Sequence, residues 1–292
     1  MTKFSLTDKS EEFISHLKRQ ELATNTIKSY RKDILGLLGY LKKIPGEIKK
    51  EHLIDYKETL TARLCPASIN RNIAAINKFL NFLELDDLKL RTLKIQEHTI
   101  SDNELYEEEF DKLLQTAFNI GKNKIGLIML TLACTGIRIG ELKFITVRAV
   151  EVGKAVINNK GTIRTVVIHT ELRQYLLTYC RENSIKSGAV FTGRSGNPIS
   201  RSYVASAMKE IAKNCGIDTR KVFPHNLRHY FARRFLDCGN QISDLADILG
   251  HKNINTTRRY LRVTENVLQK QMAKMKIFAR NRAAEFFESW AG

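Results

Sequence analysis

Only one stretch of this chain alternates apolar and polar residues with the two-residue period of a half-buried strand. Wherever else the apolar positions have a rhythm, they step by three and four. Within residues 150–170 the string VEVGKAVIN is followed by Asn159-Lys160-Gly161 and then by TIRTVVIHT, two β-branched runs around a turn. That pattern predicts a hairpin, and AVFT over residues 189–192 predicts a short third strand beside it. A chain of 292 residues, 43% of them hydrophobic, cannot cover its core with so little sheet and must do so by packing helices. The expected fold class is mainly α with a small β-sheet (α+β).

The helical rhythm comes in two blocks. In the first, Ile27, Tyr30, Ile34, Leu37, Leu38 and Leu41 share one face, with Thr24 and Thr26 as expected N-caps. Further on, Ser68 precedes Ile69, Ile73, Ile76, Leu80 and Leu83, while Asn70, Arg71, Asn77 and Lys78 lie on the opposite side. Residues 85–106 lack a sustained period and read as a linker between a helical domain at 1–84 and a second domain at 107–292. Charge supports the division, since residues 85–109 carry 8 Asp and Glu against 3 Lys and Arg in an otherwise basic chain. In the second domain the very apolar run 125–134 predicts a buried helix that stops at Thr135-Gly136. Breaks are expected at Gly216, Pro224, Gly239 and Gly250.

A formal net charge of +17 favours a polyanionic partner, with nucleic acid ahead of an anionic membrane surface. No apolar run reaches the roughly 18 residues that would span a bilayer, and the opening MTKFSLTDKSEEF is too polar for a secretory leader. A soluble, cytoplasmic protein without a membrane partner is expected. The five cysteines are widely spaced without a C-x-x-C pair, so they read as reduced thiols, mostly in the core, and imply neither disulfides nor a metal site.

The chain has no phosphate-binding glycine loop, no H-E-x-x-H and no cluster of carboxylates suited to Mg²⁺. Phosphodiester chemistry here would need fixed cationic donors and a side-chain nucleophile. Such groups stand in locally distinctive strings: Arg138 in TGIRIGEL, Lys160 in NNKG, His225 and Arg228 in HNLRH, His251 in LGH and Tyr260 in TTRRY. Arginine suits a phosphate because its planar fork meets two oxygens and stays protonated. Glu141, three residues after Arg138, is placed to orient that guanidinium. His225 and Arg228 share one side of a helix that Pro224 opens. His229 reads as a packing or phosphate-adjacent residue.

The order Arg138, Lys160, His225-x-x-Arg228, His251, Tyr260, with the strings TGIRIGEL, HNLRH and ILGHKNINTTRRY, resembles the tyrosine recombinase (phage integrase) family, in its compact Xer-like or small mobile-element form. The resemblance covers residues 5–84 as a helical core-binding domain and 107–270 as a catalytic domain. It implies that Tyr260 is the nucleophile of a 3′-phosphotyrosyl bond and that Arg138 and Arg228 bind the scissile phosphate. It further implies Lys160 as general acid to the 5′ oxygen, with His225 and His251 assisting proton transfer and phosphate binding.

The implied activity is site-specific recombination through a Holliday junction, without cofactor, on double-stranded DNA carrying a specific core site. The implied assembly is a homo-tetramer on DNA, a monomer or weak oligomer when free, with room for a partner recombinase or accessory protein and a nucleoid-associated location. Two other readings are a non-catalytic DNA-binding protein on the same scaffold and a type IB topoisomerase-like nicking-closing enzyme. Thr26, Lys28, Arg31, Arg71, Lys78, Arg164, Arg201 and Arg258 are the candidate DNA contacts. Arg233-Arg234 and Arg258-Arg259 are more basic than the family pattern and are expected to add backbone contacts. Leu268, Met272, Met275 and Phe278, followed by Phe286, Phe287 and Trp290, form an apolar stripe expected to dock on a neighbouring protomer.

Overall fold

Separate hydrophobic cores divide the chain into two units, Met1–Glu97 and His98–Gly292. The computed structural model describes residues 3–44, 47–94, 103–159, 162–193, 196–251, 253–258 and 260. Among its described residues the first unit holds four α-helices: α1 (Lys3–Arg19), α2 (Thr24–Leu41), α3 (Lys50–Thr61) and α4 (Pro66–Phe82). The 3.6-residue rhythm decides which faces are hidden. Ile27, Ile34, Leu37, Leu38 and Leu41 of α2 and Ile69, Ile73, Ile76 and Leu80 of α4 are all buried. Helix α2 begins earlier than its expected caps. Ala23 holds the cap position of α2 without a side-chain bond, so Thr24 and Thr26 lie inside the helix. In α4, Pro66 takes the first turn, where its missing N–H costs no bond, and Ser68 falls inside.

The polar face of α4 has a use that periodicity does not reveal. Asn77 donates from Nδ2 to Leu90 O at 2.8 Å and accepts from Leu90 N at 2.8 Å; seven residues earlier Asn70 does the same with Leu93 O at 2.9 Å and Leu93 N at 2.7 Å. A side-chain amide thus stands in for a neighbouring strand, twice, two turns apart. Lys57 of α3 adds a bond from Nζ to Arg91 O at 2.8 Å, and Leu90 is buried in the core of this unit. The stretch expected as a linker is therefore shorter than 85–106. Residues 85–94 are strapped to the first unit, and 103–106 belong to the second.

The second unit begins with α5 (Glu107–Asn119) and α6 (Asn123–Thr135), followed by a short 3₁₀ segment, Ile139–Phe144, and α7 (Val147–Val152). Strands β1 (Lys154–Asn159) and β2 (Thr162–Val167) pair antiparallel, with Ile157 opposite Arg164. Helices α8 (Thr170–Glu182), α9 (Arg201–Asn214), α10 (Pro224–Asp237), α11 (Ile242–Leu249) and α12 (Asn255–Arg258) complete it. Ala155, Ile157 and Val166 are buried on the inner face of the hairpin, as the alternation requires. The expected third strand does not form. Ala189 and Thr192 make isolated bridges to two different partners, Thr146 and Pro198, and a proline offers no N–H to extend a ladder. Of the five cysteines, only Cys180 and Cys215 are buried, fewer than expected.

The acidic run entering this unit is held by cations of its own domain. Glu104 pairs with Arg233, Glu107 Oε2 lies 2.8 Å from Arg234 Nη1, and Glu109 Oε1 lies 2.7 Å from Lys221 Nζ. Arg233 is thereby turned inward at 18% exposed, while Arg234 keeps 47% of its side chain exposed and stays open to the expected backbone contact.

Replacing Asn70 and Asn77 together by alanine removes four hydrogen bonds worth about 1 kcal/mol each. The expected outcome is a first unit destabilised by about 2 to 4 kcal/mol on denaturant melting, with new proteolytic cleavage within residues 85–94.

Candidate active site

The site starts where α6 ends. Gly136 takes the left-handed conformation, φ 62°, and a Cβ there would lie 2.7 Å from Phe231 Cε1 and 3.0 Å from Leu249 Cδ2, so only glycine fits. Two residues on, Arg138 is extended. Its backbone N donates to Glu141 Oε2 at 2.8 Å and its Nη1 to Glu141 Oε1 at 3.3 Å. The Arg138 side chain stays 41% exposed, whereas Glu141 is 1% exposed.

Arg228 enters from α10 and is the largest of the fully buried side chains among the described residues, 1% exposed. Pro224 opens that helix, as its sequence position foretells. Arg228 Nη1 donates to Gly136 O at 2.7 Å, and Nη2 donates to Leu249 O at 2.7 Å. Both carbonyls sit at helix C-terminal ends, where backbone oxygens lack intrahelical donors and carry partial negative charge. Nη2 also lies 2.9 Å from His251 Nε2. Burial first, and the neighbouring Arg138 cation second, pull the Arg228 pKa down to about 10. Arg228 remains charged at neutral pH and is held in a place that disfavours its charge.

His251 follows Gly250, the left-handed C-cap of α11. A guanidinium can only donate, so His251 Nε2 must accept and the proton must reside on Nδ1, which lies 2.9 Å from Thr257 Oγ1. Asn253 Oδ1 accepts from Asn255 N at 2.9 Å and starts α12. Thr257 is fully buried there, three residues before Tyr260. Tyr260 N donates to Thr257 O at 3.0 Å, and its ring packs with Ala232, Leu245 and Leu249, leaving the residue 8% exposed. Its ring centroid is 5.2 Å from that of His229, which is 4.5 Å edge-on from His225. His225 itself is exposed.

Arg138, Glu141, His225, Arg228, His251 and Tyr260 are therefore brought together within one domain; Lys160 and the apolar stripe at 268–290 lie outside the described residues. Thr257 and His229 also belong to the site. Thr257 gave no signal beyond helical spacing from Tyr260, and His229 shares the helix face of His225 by its i+4 spacing.

The candidate DNA contacts divide. Lys28, Arg31, Arg71, Arg201 and Arg258 are exposed, and Thr26 and Lys78 are half-buried. Arg31 pairs with Glu11 at 2.6 Å, and Arg71 Nε lies 4.0 Å from the buried Asp33. The Arg201 guanidinium lies over Gly140, where a Cβ would be 3.0 Å from Arg201 Cζ, so it borders the Arg138 turn. Arg164 is no surface contact: its side chain is 8% exposed and bonded on the inside of the domain, which corrects that expectation.

Residues 103–266 match the family described as Phage integrase family, and residues 11–86 match the Phage integrase, N-terminal SAM-like domain. The chain belongs to the phage integrase family. Among its relatives, Tyrosine recombinase XerC of Lactobacillus delbrueckii subsp. bulgaricus is 25% identical over 279 residues, 87% of this chain and 94% of the relative. Tyrosine recombinase XerA of Pyrococcus furiosus is 28% identical, covering 91% and 93%. The same fold occurs in the Tn1549 transposon integrase bound to a circular intermediate DNA, with a TM-score of 0.72, 17% identity and coverage of 92% and 98%. It also occurs in a lambda integrase dimer bound to a COC′ core site, with a TM-score of 0.71, 16% identity and coverage of 87% and 94%. The integrase-family chain described here is a tyrosine site-specific recombinase.

Thr257→Val removes the acceptor that holds His251 Nδ1–H and keeps the volume. Cleavage is expected to fall about tenfold, the worth of one hydrogen bond on an active-site histidine, with DNA affinity unchanged in a mobility-shift assay.

Proposed function

We propose that this recombinase cuts one DNA strand at a core site by attack of Tyr260 Oη on the scissile phosphorus. The P–O5′ bond breaks, a 3′-phosphotyrosyl bond forms, and the free 5′ hydroxyl of a partner strand later reverses the step. His225 takes the tyrosyl proton, and Lys160 gives one to the departing 5′ oxygen. Arg138 and Arg228 bind the nonbridging oxygens. Three of the five N–H bonds of Arg228 go to Gly136 O, Leu249 O and His251, and the other two are assigned to the phosphate. Bond energy is kept in the phosphotyrosine, so no cofactor enters.

The observation that carries this reading is the charge state of the cradle. A buried arginine with its pKa drawn down to about 10 sits beside a second arginine and beside Tyr260, an arrangement that costs free energy until an anion arrives. The pentacoordinate phosphorane bears more negative charge than the diester, so it relieves that repulsion better than the ground state does, which is the condition for catalysis. A protein that only bound DNA would gain nothing from a tyrosine beside that cradle.

The net charge of +17 supports duplex DNA as partner, as do the DNA-bound relatives of this fold. Two sites are brought together in a tetramer, and strands are exchanged in pairs through a Holliday junction, in the cytoplasm where the DNA lies. Tyr260 is held by its own domain's apolar cluster, which supports cleavage of the DNA bound by the same protomer.

A duplex bearing the core site, selected by binding from random sequence and nicked beside the cleavage position, tests this. Wild type should accumulate a covalent adduct, Tyr260→Phe should form none, and Arg228→Ala should slow its formation by about 10² to 10³-fold. An adduct formed equally by Tyr260→Phe would remove the tyrosine from its role.

A further inference from the structure

Arg164 was expected to face DNA, and the structure puts it elsewhere. Its Nη2 donates to Glu141 Oε2 at 2.6 Å and its Nη1 to Glu141 Oε1 at 3.2 Å, a two-pronged pair on a carboxylate only 1% exposed. Its Nε donates to Ile248 O at 2.9 Å, next to the Leu249 carbonyl that binds Arg228 and three residues before His251. Gly250 leaves space for its stem, since a Cβ there would lie 3.0 Å from Arg164 Cδ. Arg164 belongs to β2, four residues beyond Lys160 in the chain.

Glu141 is thus shared by two arginines of unequal exposure. Were Arg138 its only partner, that pair would be close to neutral and Arg138 would offer a phosphate little net attraction. With Arg164 matching the buried carboxylate from the inside, the three groups sum to one positive charge, and it resides on the exposed Arg138. We infer that Arg164 is a positioning residue of the strand-transfer reaction: it neutralises Glu141 so that the Arg138 charge is available to the phosphate, and it ties β2 to the end of α11 that carries His251. The inference rests on the assignment of Arg138 to the scissile phosphate. It excludes a direct DNA contact by Arg164.

The test uses the full chain with the nicked core-site duplex. Four proteins are compared, Arg164→Met, Glu141→Gln, the double variant Arg164→Met/Glu141→Gln, and Arg164→Lys, each melted before assay. In Arg164→Met the unmatched Glu141 carboxylate turns fully to Arg138, and adduct formation is expected to fall about a hundredfold. Core-site affinity should fall far less than cleavage, by no more than about tenfold, because only the Arg138 contact with one phosphate is weakened.

The double variant has no buried carboxylate left to neutralise, so it should regain at least tenfold over Arg164→Met. Arg164→Lys retains the charge without the fork and should cleave within about tenfold of wild type. A packing role alone predicts that the double variant is as slow as Arg164→Met, which would overturn the inference. So would wild-type cleavage by Arg164→Met. If Arg164→Met fails to melt cooperatively, the double variant and Arg164→Lys decide: slow cleavage by both overturns the inference. Arg138→Ala, assayed alongside, tests the underlying assignment separately, because wild-type cleavage by that variant would remove Arg138 from the phosphate whatever Arg164 does.

Discussion

One buried cation organises the catalytic domain. Arg228 bonds to a carbonyl at the end of α6, a carbonyl at the end of α11 and the ring nitrogen of His251 just beyond it, so both helix ends meet its own helix α10 on a single guanidinium. Helices usually end in water, where spare carbonyls are solvated. Here two of them end against a charge, and the charge accepts desolvation because they are there. The left-handed glycines Gly136 and Gly250 follow from that requirement, since each turns the chain away at the point where its helix must present an oxygen inward. The stability of this region and its chemistry are therefore hard to separate, because removing the guanidinium leaves two buried acceptors unmatched.

Around that centre the charges are arranged in layers. Arg228 is inside, Glu141 and Arg164 match one another inside, and Arg138 faces outward with its backbone N and one prong of its fork held by Glu141. Repulsion between Arg138 and Arg228 is retained, so the pair favours an anion beside it. The histidines add direction. His251 is locked into one tautomer by a donor on one side and a hydroxyl on the other, and that hydroxyl belongs to the short helix leading to Tyr260. Arg228 and the short helix that leads to Tyr260 are thereby joined through two hydrogen bonds.

The sequence was most readable where periodicity or unusual backbone chemistry left a mark. The buried faces of α2 and α4, the hairpin, the glycine stops of α6 and α11 and the proline start of α10 all follow from local patterns. The meeting of Arg138, Arg228, His251 and Tyr260 was legible through the joint occurrence of motifs and not through any one of them. Sharing was not legible. Arg164 looks the same in sequence whether it points to solvent or into a carboxylate, because strand alternation assigns a face and says nothing of what lies behind it. Asn70 and Asn77 read only as part of the polar side of α4 for the same reason, and Thr257 as an ordinary helix residue. The third strand failed because two isolated bridges and a proline satisfied its backbone by other means.

The asparagine straps also carry a register of their own. Asn77 takes both backbone groups of Leu90 and Asn70 both backbone groups of Leu93, so a step along the strapped chain is matched to two turns of α4. A single-residue insertion at 90–93 would shift one asparagine's partner out of phase with the other's. The strap therefore works as a ratchet with two teeth, and this stretch tolerates a change of side chain far better than a change of length.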